Sequence, residues 1–299
     1  MSTSTRSELR AYAMLALVML FWSGNAIVGR AVRDDIPPIT LAFVRWLGAF
    51  LVVVGPAAHH LVADWSTLLR HWKATLFLGL TGVASFNTLF YIGLIDTTAT
   101  NALLLQAATP ALVLMLDAAV FGIHAAAAQI VGVLLSILGV GFVLFPDLGA
   151  LLGLHFGRGD VFILTAVVVW AVYTSFLRRR PPVHPLSFLT ATFATAVVVL
   201  LPLAALEWRE AAAIDWHRPQ ILGAFLYVAV LPSVAAYFLF NAAVAAVGAA
   251  KAGQSITLMP VFGALLAALL LGEPLLPSHF VGMALILAGI GVSILLGRR

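Results

Sequence analysis

Runs of apolar residues recur along the chain about every 30 residues, separated by short polar or turn-forming breaks. A helix rises about 1.5 Å per residue, so a run of roughly 20 residues crosses a hydrocarbon core about 30 Å thick. The breaks carry charge or turn chemistry, as at Asp34-Asp35-Ile36-Pro37-Pro38, and are weakest at Asp96-Thr97 and Gly248-Ala249. The pattern predicts an all-α polytopic membrane protein with ten transmembrane helices, at roughly 11–31, 38–58, 73–94, 98–121, 126–145, 160–178, 185–206, 220–241, 246–271 and 277–297.

The composition indicates a membrane protein and not a soluble one. Apolar residues make up 63% of the 299 positions and charged residues 9%, against roughly 45–50% and about 25% in soluble domains. The chain has no cysteine, which excludes disulfides, thiolate chemistry and cysteine-ligated metal centres. Arg6 and Arg10 precede the first apolar run, as in a signal peptide. No small-residue cleavage site follows, so we expect a retained first helix.

Basic residues are distributed unevenly between the two sides of the predicted bundle. If the N-terminus is inside, the cytoplasmic side holds Arg6, Arg10, Arg70, Lys73, Arg178, Arg179, Arg180, Lys251, Arg298 and Arg299. The other side holds Arg30, Arg33, Arg158, Arg209 and Arg218. Because cytoplasmic loops carry the excess of Lys and Arg, this bias predicts that both termini are cytoplasmic. The net charge of +4 is then a feature of topology, and no nucleic-acid partner is expected.

The second half of the sequence repeats the first at an offset of 150 residues, with about 13 identities in about 60 ungapped positions. The matches include Pro110 with Pro260, Gly122 with Gly272, Gly132 with Gly282, Gly139 with Gly289 and, at a slightly shorter offset, Trp22 with Trp170 and Arg30 with Arg178. We predict two five-helix repeats, 11–145 and 160–297. Because five is odd, the second repeat enters the membrane from the opposite face. Inverted repeats place a central site near the bilayer midplane, where the halves meet.

The paired prolines Pro110 and Pro260 lie near the middle of spans 4 and 9. A proline inside a helix removes a hydrogen bond and clashes with the preceding turn, so it kinks or softens the helix. These positions are therefore either gating hinges or static kinks required for packing. The glycines spaced by seven residues in spans 5 and 10 lie on one helical face and predict close helix packing.

Residues 257–292 read TLMPVFGALLAALLLGEPLLPSHFVGMALILAGIGV, with Gly272-Glu273 at the end of the penultimate span. The first half carries Trp22-Ser23-Gly24-Asn25, Arg30, Pro38 and Phe43-Val44-Arg45-Trp46. These features resemble the drug/metabolite transporter superfamily, EamA type, over nearly the whole chain. The resemblance implies ten helices in two inverted repeats and secondary transport of metabolites. Within the family, the chain most resembles the YddG-type aromatic amino-acid exporters by general similarity. The first half departs from the pattern, with Gly122-Ile123-His124 where the second has Gly272-Glu273-Pro274.

Several kinds of chemistry have no matching motif. The sequence contains no phosphate-binding loop and no H-E-x-x-H zinc motif, so we expect neither ATP hydrolysis nor a cofactor. The eight histidines, at span ends or in loops, are 59, 60, 71, 124, 155, 184, 217 and 279. This distribution argues against a midplane proton relay or a metal centre.

Three charged residues within or beside spans are open to two interpretations. Asp117, in span 4, is the best candidate for proton coupling, and the alternative is that it contacts a neighbouring donor. Arg45, in span 2, could bind a substrate carboxylate. Its position about two turns from the outer boundary favours snorkelling or pairing with an acidic residue at Asp34-Asp35 or Asp96. Lys251, at the start of span 9, could attract an anion or simply set topology.

Uncharged polar and aromatic residues within the spans form the predicted substrate site. They are Asn25, Asn87, Tyr91, Gln106, Trp170, Tyr173, Tyr237, Asn241, Gln254 and Thr257. Amides can hold the ammonium and carboxylate of an amino acid, while aromatic rings supply an apolar or cation–π wall. The alternative for each residue is a hydrogen bond between helices. Six tryptophans, Trp22, Trp46, Trp65, Trp72, Trp208 and Trp216, lie near predicted interfaces and are expected to anchor the protein in the membrane.

These observations predict a secondary transporter, an exporter of aromatic or other neutral amino acids, working by alternating access across the cell inner membrane. Export of other small metabolites or drugs is the alternative within the same class. A membrane-embedded lipid-modifying enzyme would need His, Asp or Glu clustered at one depth, which the sequence lacks. A non-transporting subunit would not need the polar lining. The expected partners are a small-molecule substrate and the bilayer, and the sequence leaves the oligomeric state open.

Overall fold

The computed structural model describes residues 3–97, 99–145, 149, 152, 157–210, 214–271 and 275–296, and these contain helices but no strand. The long helices are α1 Thr3–Ala31, α2 Pro38–Arg70, α3 Trp72–Asp96, α4 99–121, α5 Ala127–Leu144, α6 Arg158–Phe176, α7 Pro185–Glu210, α8 Pro219–Val247, α9 249–271 and α10 Pro277–Leu296. The predicted fold class, an all-α polytopic membrane protein, is confirmed. The Gly272-Glu273-Pro274 signature and the predicted repeat end at 297 lie outside the described residues.

Within the described part of the chain, nine helices are long and apolar enough to cross a membrane. Helix α9 is not one of them, and its first two turns carry Lys251, Gln254 and Ser255. Glycines with positive φ set two of the helix ends. Gly122 (φ 66°) caps the end of α4, and Gly248 (φ 88°) separates α8 from α9. Only glycine adopts these backbone angles readily, so even the weak break at Gly248 ends a helix.

The two halves interrupt their helices at equivalent places. Helix α3 contains a π turn at Gly79–Ser85, and α8 contains one at Val230–Ala235, about 150 residues later. Helix α4 is broken between Ala99–Gln106 and Thr109–Phe121. Helix α9 tightens to a 3₁₀ turn at Ser255–Leu258. The sequence analysis predicted distortion around Pro110 and Pro260, and both prolines lie just after these interruptions. It did not predict the π turns.

Helices α5 and α10 pack through glycines that bring their backbones together. A Cβ at Gly132 would lie 2.5 Å from the Gly289 carbonyl oxygen, and one at Gly139 would lie 2.6 Å from that of Gly282. The contacts run in opposite order along the two helices, so these equivalent helices are antiparallel. That arrangement agrees with inverted repeats, and the predicted packing role of the spaced glycines is confirmed.

A side chain from the other half accepts hydrogen bonds from the backbone N–H groups at the start of α2. The carboxylate of Glu207 on α7 accepts hydrogen bonds from the backbone N–H of Ile39 (3.2 Å) and of Thr40 (2.6 Å), and from the Thr40 hydroxyl (2.6 Å). A carboxylate is favourable at a helix N-terminus because it meets unpaired N–H groups and the positive end of the dipole. This contact fixes the register of α2 against α7 and thereby positions Arg45.

Candidate functional site

The π turn in α8 provides a backbone carbonyl at the centre of the bundle. Pro232 has no N–H and would clash with the carbonyl of Val228 in a regular helix, and the wider π turn relieves that clash. The Ser233 hydroxyl donates to the Val228 oxygen at 2.7 Å. The Pro232 carbonyl is left free to accept from Trp22 Nε1 (3.0 Å) and Arg45 Nη2 (3.0 Å). A local helix distortion thus creates an acceptor for two side chains of the first half.

Arg45 is buried at the junction of the two halves, with 1% of its surface exposed. Its Nη1 donates to Asn25 Oδ1 (3.0 Å), Asn87 Oδ1 (2.8 Å) and the Tyr91 hydroxyl (2.9 Å). Its Nε donates to Ser233 Oγ at 2.6 Å. Every one of these acceptors is neutral, so the guanidinium is hydrogen-bonded but has no carboxylate partner among the described residues.

The expectation that Arg45 snorkels or pairs with a nearby acid is wrong. Asp35 instead pairs with Arg218 (2.5 Å), and Asp34 with Arg33 (3.6 Å). Both pairs lie at the protein surface, whereas the π turn and the amides of α1 and α3 hold Arg45 inside. Sequence distance from a helix end could not reveal this, because the packing of other helices sets the depth of the side chain.

Aromatic rings, which we call the aromatic wall, face Arg45 and its hydrogen-bond partners. The rings of Trp22 and Trp170 meet edge to face with centroids 5.0 Å apart, and Phe86 lies 4.8 Å from Trp170. Trp46 is fully buried and packs against Phe193 at 5.1 Å. The prediction that Trp22 and Trp46 anchor the protein at the membrane surface is therefore wrong.

The other four predicted anchors, Trp65, Trp72, Trp208 and Trp216, have exposed side chains, with 43–60% of their surface accessible. Trp22 and Trp46 differ because they lie on the inward faces of α1 and α2. Position along a helix therefore does not by itself identify an anchor; the helix face that the ring occupies also matters.

A small central cavity of about 20 Å³ lies between Arg45 with its hydrogen-bond partners and the aromatic wall. Its lining comes from both halves: Trp22, Asn25, Arg45, Phe86, Asn87, Phe90, Gln106, Trp170, Tyr237, Ile256 and Met259. Five predicted site residues are in this set, namely Asn25, Asn87, Gln106, Trp170 and Tyr237. Gln106 is buried, and its Nε2 has no hydrogen-bond partner among the described residues. An unpaired buried N–H group favours an acceptor supplied by a ligand.

Tyr91, Tyr173 and Asn241 lie beside the central cavity. The Tyr91 hydroxyl donates to Asn25 Oδ1 (2.8 Å), and the Tyr173 hydroxyl donates to Asn241 Oδ1 (2.8 Å). The Tyr173 ring packs against Trp170 with centroids 5.0 Å apart. These residues form a supporting layer around the lining residues.

Tyr237 links the two π turns to the centre. Its hydroxyl donates to the Gly82 carbonyl at 2.5 Å and accepts from Asn87 Nδ2 at 3.3 Å. Asn87 and Tyr237 are separated by 150 residues, the offset of the internal repeat. Equivalent positions of the two halves therefore meet directly across the pseudo-symmetry axis.

Two predicted site residues do not reach the cavity. Gln254 Nε2 donates to the Gly289 carbonyl (3.2 Å) and to Ser136 Oγ (3.4 Å), so its side chain lies against α5 and α10. Thr257 donates to the Gln254 carbonyl at 2.8 Å within its own helix. Their placement in a substrate site is corrected: Gln254 joins α9 to α5 and α10, and Thr257 bonds within its own helix.

A second, wider pocket of about 610 Å³ lies where α4, α6 and α8 end and α9 begins. We call it the mouth pocket. Arg178, Arg180 and Lys251 line it together with Asp117 and Asn241. Asp117 Oδ2 accepts from Arg178 Nη2 at 2.5 Å. The residue considered for proton coupling thus contacts a neighbouring donor.

At the opposite end of the bundle, α3 packs closely against α6. A Cβ at Gly93 would lie 2.8 Å from the Gly159 carbonyl oxygen, and one at Gly159 would lie 2.6 Å from that of Gly93. Thr97 Oγ1 donates to the Asp160 carboxylate beside this contact.

Comparison with known proteins places these features in a family. The sequence pattern of the EamA-like transporter family matches residues 9–145 and, a second time, residues 157–295. The chain belongs to the EamA-like transporter family. It is therefore a membrane transporter of the drug/metabolite type and not an enzyme. The two matches also agree with the internal repeat found in the sequence.

Relatives of this EamA-like transporter extend over nearly its whole length. YetK of Bacillus subtilis, described as an uncharacterized transporter, is 26% identical over 97% of this chain and 88% of its own. A transporter of Archaeoglobus fulgidus is 28% identical over 95% and 96%. A probable amino-acid metabolite efflux pump of Salmonella typhimurium is 27% identical over 93% and 92%. A solved crystal structure superimposes with a TM-score of 0.77 at 20% identity, covering 99% of this chain and 98% of that one, which shows the shared fold.

Sequence reasoning missed three kinds of residue at this site. Arg45 was assigned to the periphery, Trp22 to the membrane surface, and the backbone of Gly82 and Pro232 was not considered. One signal was available: Arg45 is the only charged residue between Asp35 and Asp64. A lone charge inside an apolar span is costly unless it faces the protein interior. Pro232, in the middle of span 8, was a second signal for a helix distortion.

Proposed function

We propose that this EamA-like transporter is a secondary exporter of amino acids or closely related small metabolites, with a preference for aromatic or other apolar ones. The observation that carries the proposal is the central cavity, whose walls come from both halves and combine amides with aromatic rings. At about 20 Å³ the cavity is smaller than the roughly 300–1,000 Å³ usual for small-molecule sites, so substrate binding requires its walls to move apart. The efflux-pump description of the Salmonella typhimurium relative supports the substrate class.

The proposed mechanism is alternating access. Residues 11–145 and 160–297 act as inverted repeats with both termini in the cytoplasm of the cell, and the protein lies in the inner membrane. The mouth pocket then opens to the cytoplasm, and the contact between Gly93 and Gly159 closes the outer end. In the opposite state of the cycle, the outer contact opens and the mouth pocket closes.

The interruptions before Pro110 and Pro260 are the proposed hinges. At these points α4 and α9 already lack regular hydrogen bonds, so a change of helix direction breaks fewer contacts there than elsewhere. The polar residues Asn25, Asn87, Tyr91, Gln106, Trp170, Tyr173, Tyr237 and Asn241 form the proposed substrate environment.

The test is a flux panel with the purified protein in liposomes. Labelled aromatic, aliphatic and charged amino acids, sugars and nucleosides are each measured with and without a pH gradient. We expect aromatic or apolar amino acids, or their close derivatives, to move without ATP, and Trp170→Ala to reduce that flux while the protein still inserts. Movement of sugars or nucleosides alone would overturn the proposed substrate class.

A further inference from the structure

The charge of Arg45 is not balanced inside the protein. Its five hydrogen-bond acceptors are two amide oxygens, two hydroxyls and one backbone carbonyl. Removing a guanidinium from water is costly, and buried charges are ordinarily paired with an opposite charge. The described ion pairs of the chain do not include Arg45. A buried cation beside a cavity therefore has a place for an anionic ligand.

The polar atoms around the cavity also favour an acceptor. Asn25 Oδ1 already accepts from Arg45 and Tyr91, and Asn87 Oδ1 accepts from Arg45. The group left without a partner is a donor, Gln106 Nε2. A ligand carrying oxygen acceptors complements these donors, whereas a ligand ammonium finds no carboxylate among the lining residues.

The mouth pocket also carries an excess of positive charge. Three basic residues, Arg178, Arg180 and Lys251, line the mouth pocket, and one acidic residue, Asp117, lies with them. Asp117 is paired with Arg178, so two cations remain. A cleft lined by one sign of charge concentrates ligands of the opposite sign.

From these observations we infer that Arg45 anchors a carboxylate of the transported molecule. The central site favours aromatic monocarboxylates that lack an ammonium group over zwitterionic amino acids. Arg45 Nη2, which has one N–H beyond its bond to the Pro232 carbonyl, and Gln106 Nε2 receive the carboxylate, and the rings of Trp22, Trp170 and Phe86 cover the apolar body. This inference rests on the proposed function and narrows its substrate class.

The experiment compares three probes that share one phenylethyl body: 3-phenylpropionate carries only a carboxylate, phenylalanine is a zwitterion, and phenethylamine carries only an ammonium. Binding is measured by calorimetry on the full-length protein in detergent. We expect 3-phenylpropionate to bind at least tenfold more tightly than phenylalanine, and phenethylamine to bind most weakly. Tighter binding of phenylalanine than of 3-phenylpropionate overturns the inference and leaves the proposed function intact.

Variants test the role of Arg45 itself. In Arg45→Gln the advantage of 3-phenylpropionate over phenethylamine should fall at least tenfold, and Arg45→Lys should retain part of it because a single-point cation remains. Arg218→Gln, which alters a surface ion pair, is the matched control. Equal weakening of all three probes in both Arg45 variants would show a structural role and overturn the inference. The ranking of probes on the unmodified protein keeps the test valid if Arg45→Gln fails to fold.

A separate result identifies failure of the proposed function. If none of the three probes binds and the flux panel moves only sugars or nucleosides, the substrate class itself is wrong, and the inference falls with it.

Discussion

In the first half of the transporter, Asn25 on α1 accepts a hydrogen bond from Tyr91 on α3; in the second half, Tyr173 on α6 donates one to Asn241 on α8. Tyr173 stands 148 residues after Asn25, and Asn241 stands 150 residues after Tyr91. The two pairs are therefore related by the internal repeat, with the tyrosine and asparagine exchanged between the helices.

The halves differ in what surrounds these pairs. Arg45, the eighth residue of α2, reaches the first pair, whereas Thr192, the eighth residue of α7, bonds the carbonyls of its own helix at Phe188 and Leu189. The repeat thus supplies a shared scaffold, and an arginine at this helix position in the first half alone makes the centre cationic. The pseudo-symmetric helices form the cavity, and the difference between Arg45 and Thr192 gives it a positive charge.

The largest expected effect concerns the π turns, because a backbone carbonyl in each turn accepts hydrogen bonds from side chains of the other half. Gly82 must be glycine because a Cβ there would overlap the ring of Tyr173, which is 1% exposed and cannot move aside. We expect Gly82→Ala to lower the free energy of unfolding by about 3 kcal/mol, the upper part of the usual cost of overpacking. Gly223→Ala, where a Cβ meets nothing within 4 Å, is the control. Thermal unfolding in detergent measures both, and equal stability of the two variants would contradict the tight contact.

An intermediate effect is expected from the two tyrosines. The Tyr91 hydroxyl accepts from Arg45 and donates to Asn25, whereas that of Tyr173 makes one neutral bond. Hydrogen bonds to charged groups contribute about 1.5–3 kcal/mol and neutral ones about 0.5–1.5 kcal/mol. Tyr91→Phe should therefore destabilise the protein by about 2 kcal/mol, and Tyr173→Phe by about 1 kcal/mol. A larger loss of stability for Tyr173→Phe than for Tyr91→Phe would contradict this difference between the two hydroxyls.

The smallest effect is expected when either Asn25 or Asn241 is replaced by aspartate. Asn25→Asp places a negative charge beside Arg45 without a change of shape, so it competes with a ligand carboxylate. We expect 3-phenylpropionate binding to weaken about tenfold, which is about 1.4 kcal/mol. Asn241→Asp, whose side chain accepts from the neutral Tyr173 hydroxyl, should weaken it less. Titration calorimetry measures both variants, and similar losses of affinity would contradict the expected difference between the halves.

The helices, the repeat and about half of the candidate site could be predicted from sequence. Apolar runs and turn residues are local signals, and the 150-residue offset relates Asn87 to Tyr237, which contact each other in the structure. Arg45, Trp22 and Gln254 were assigned wrongly because a span that is apolar all round gives little information about which face points inward. Their surroundings depend on distant helices: Pro232 for Arg45 and Trp22, and Gly289 for Gln254.

The glycine contacts between α5 and α10 have a consequence for how the molecule is held together. Each of these helices presents glycines at the same seven-residue spacing, and each fits the backbone of the other in reversed order, as the two sides of a symmetric dimer interface do. We therefore expect the halves to recognise each other without the covalent connection between residues 145 and 157. Two five-helix fragments produced as separate chains should reassociate along this seam, and a single such fragment carries a surface suited to a copy of itself.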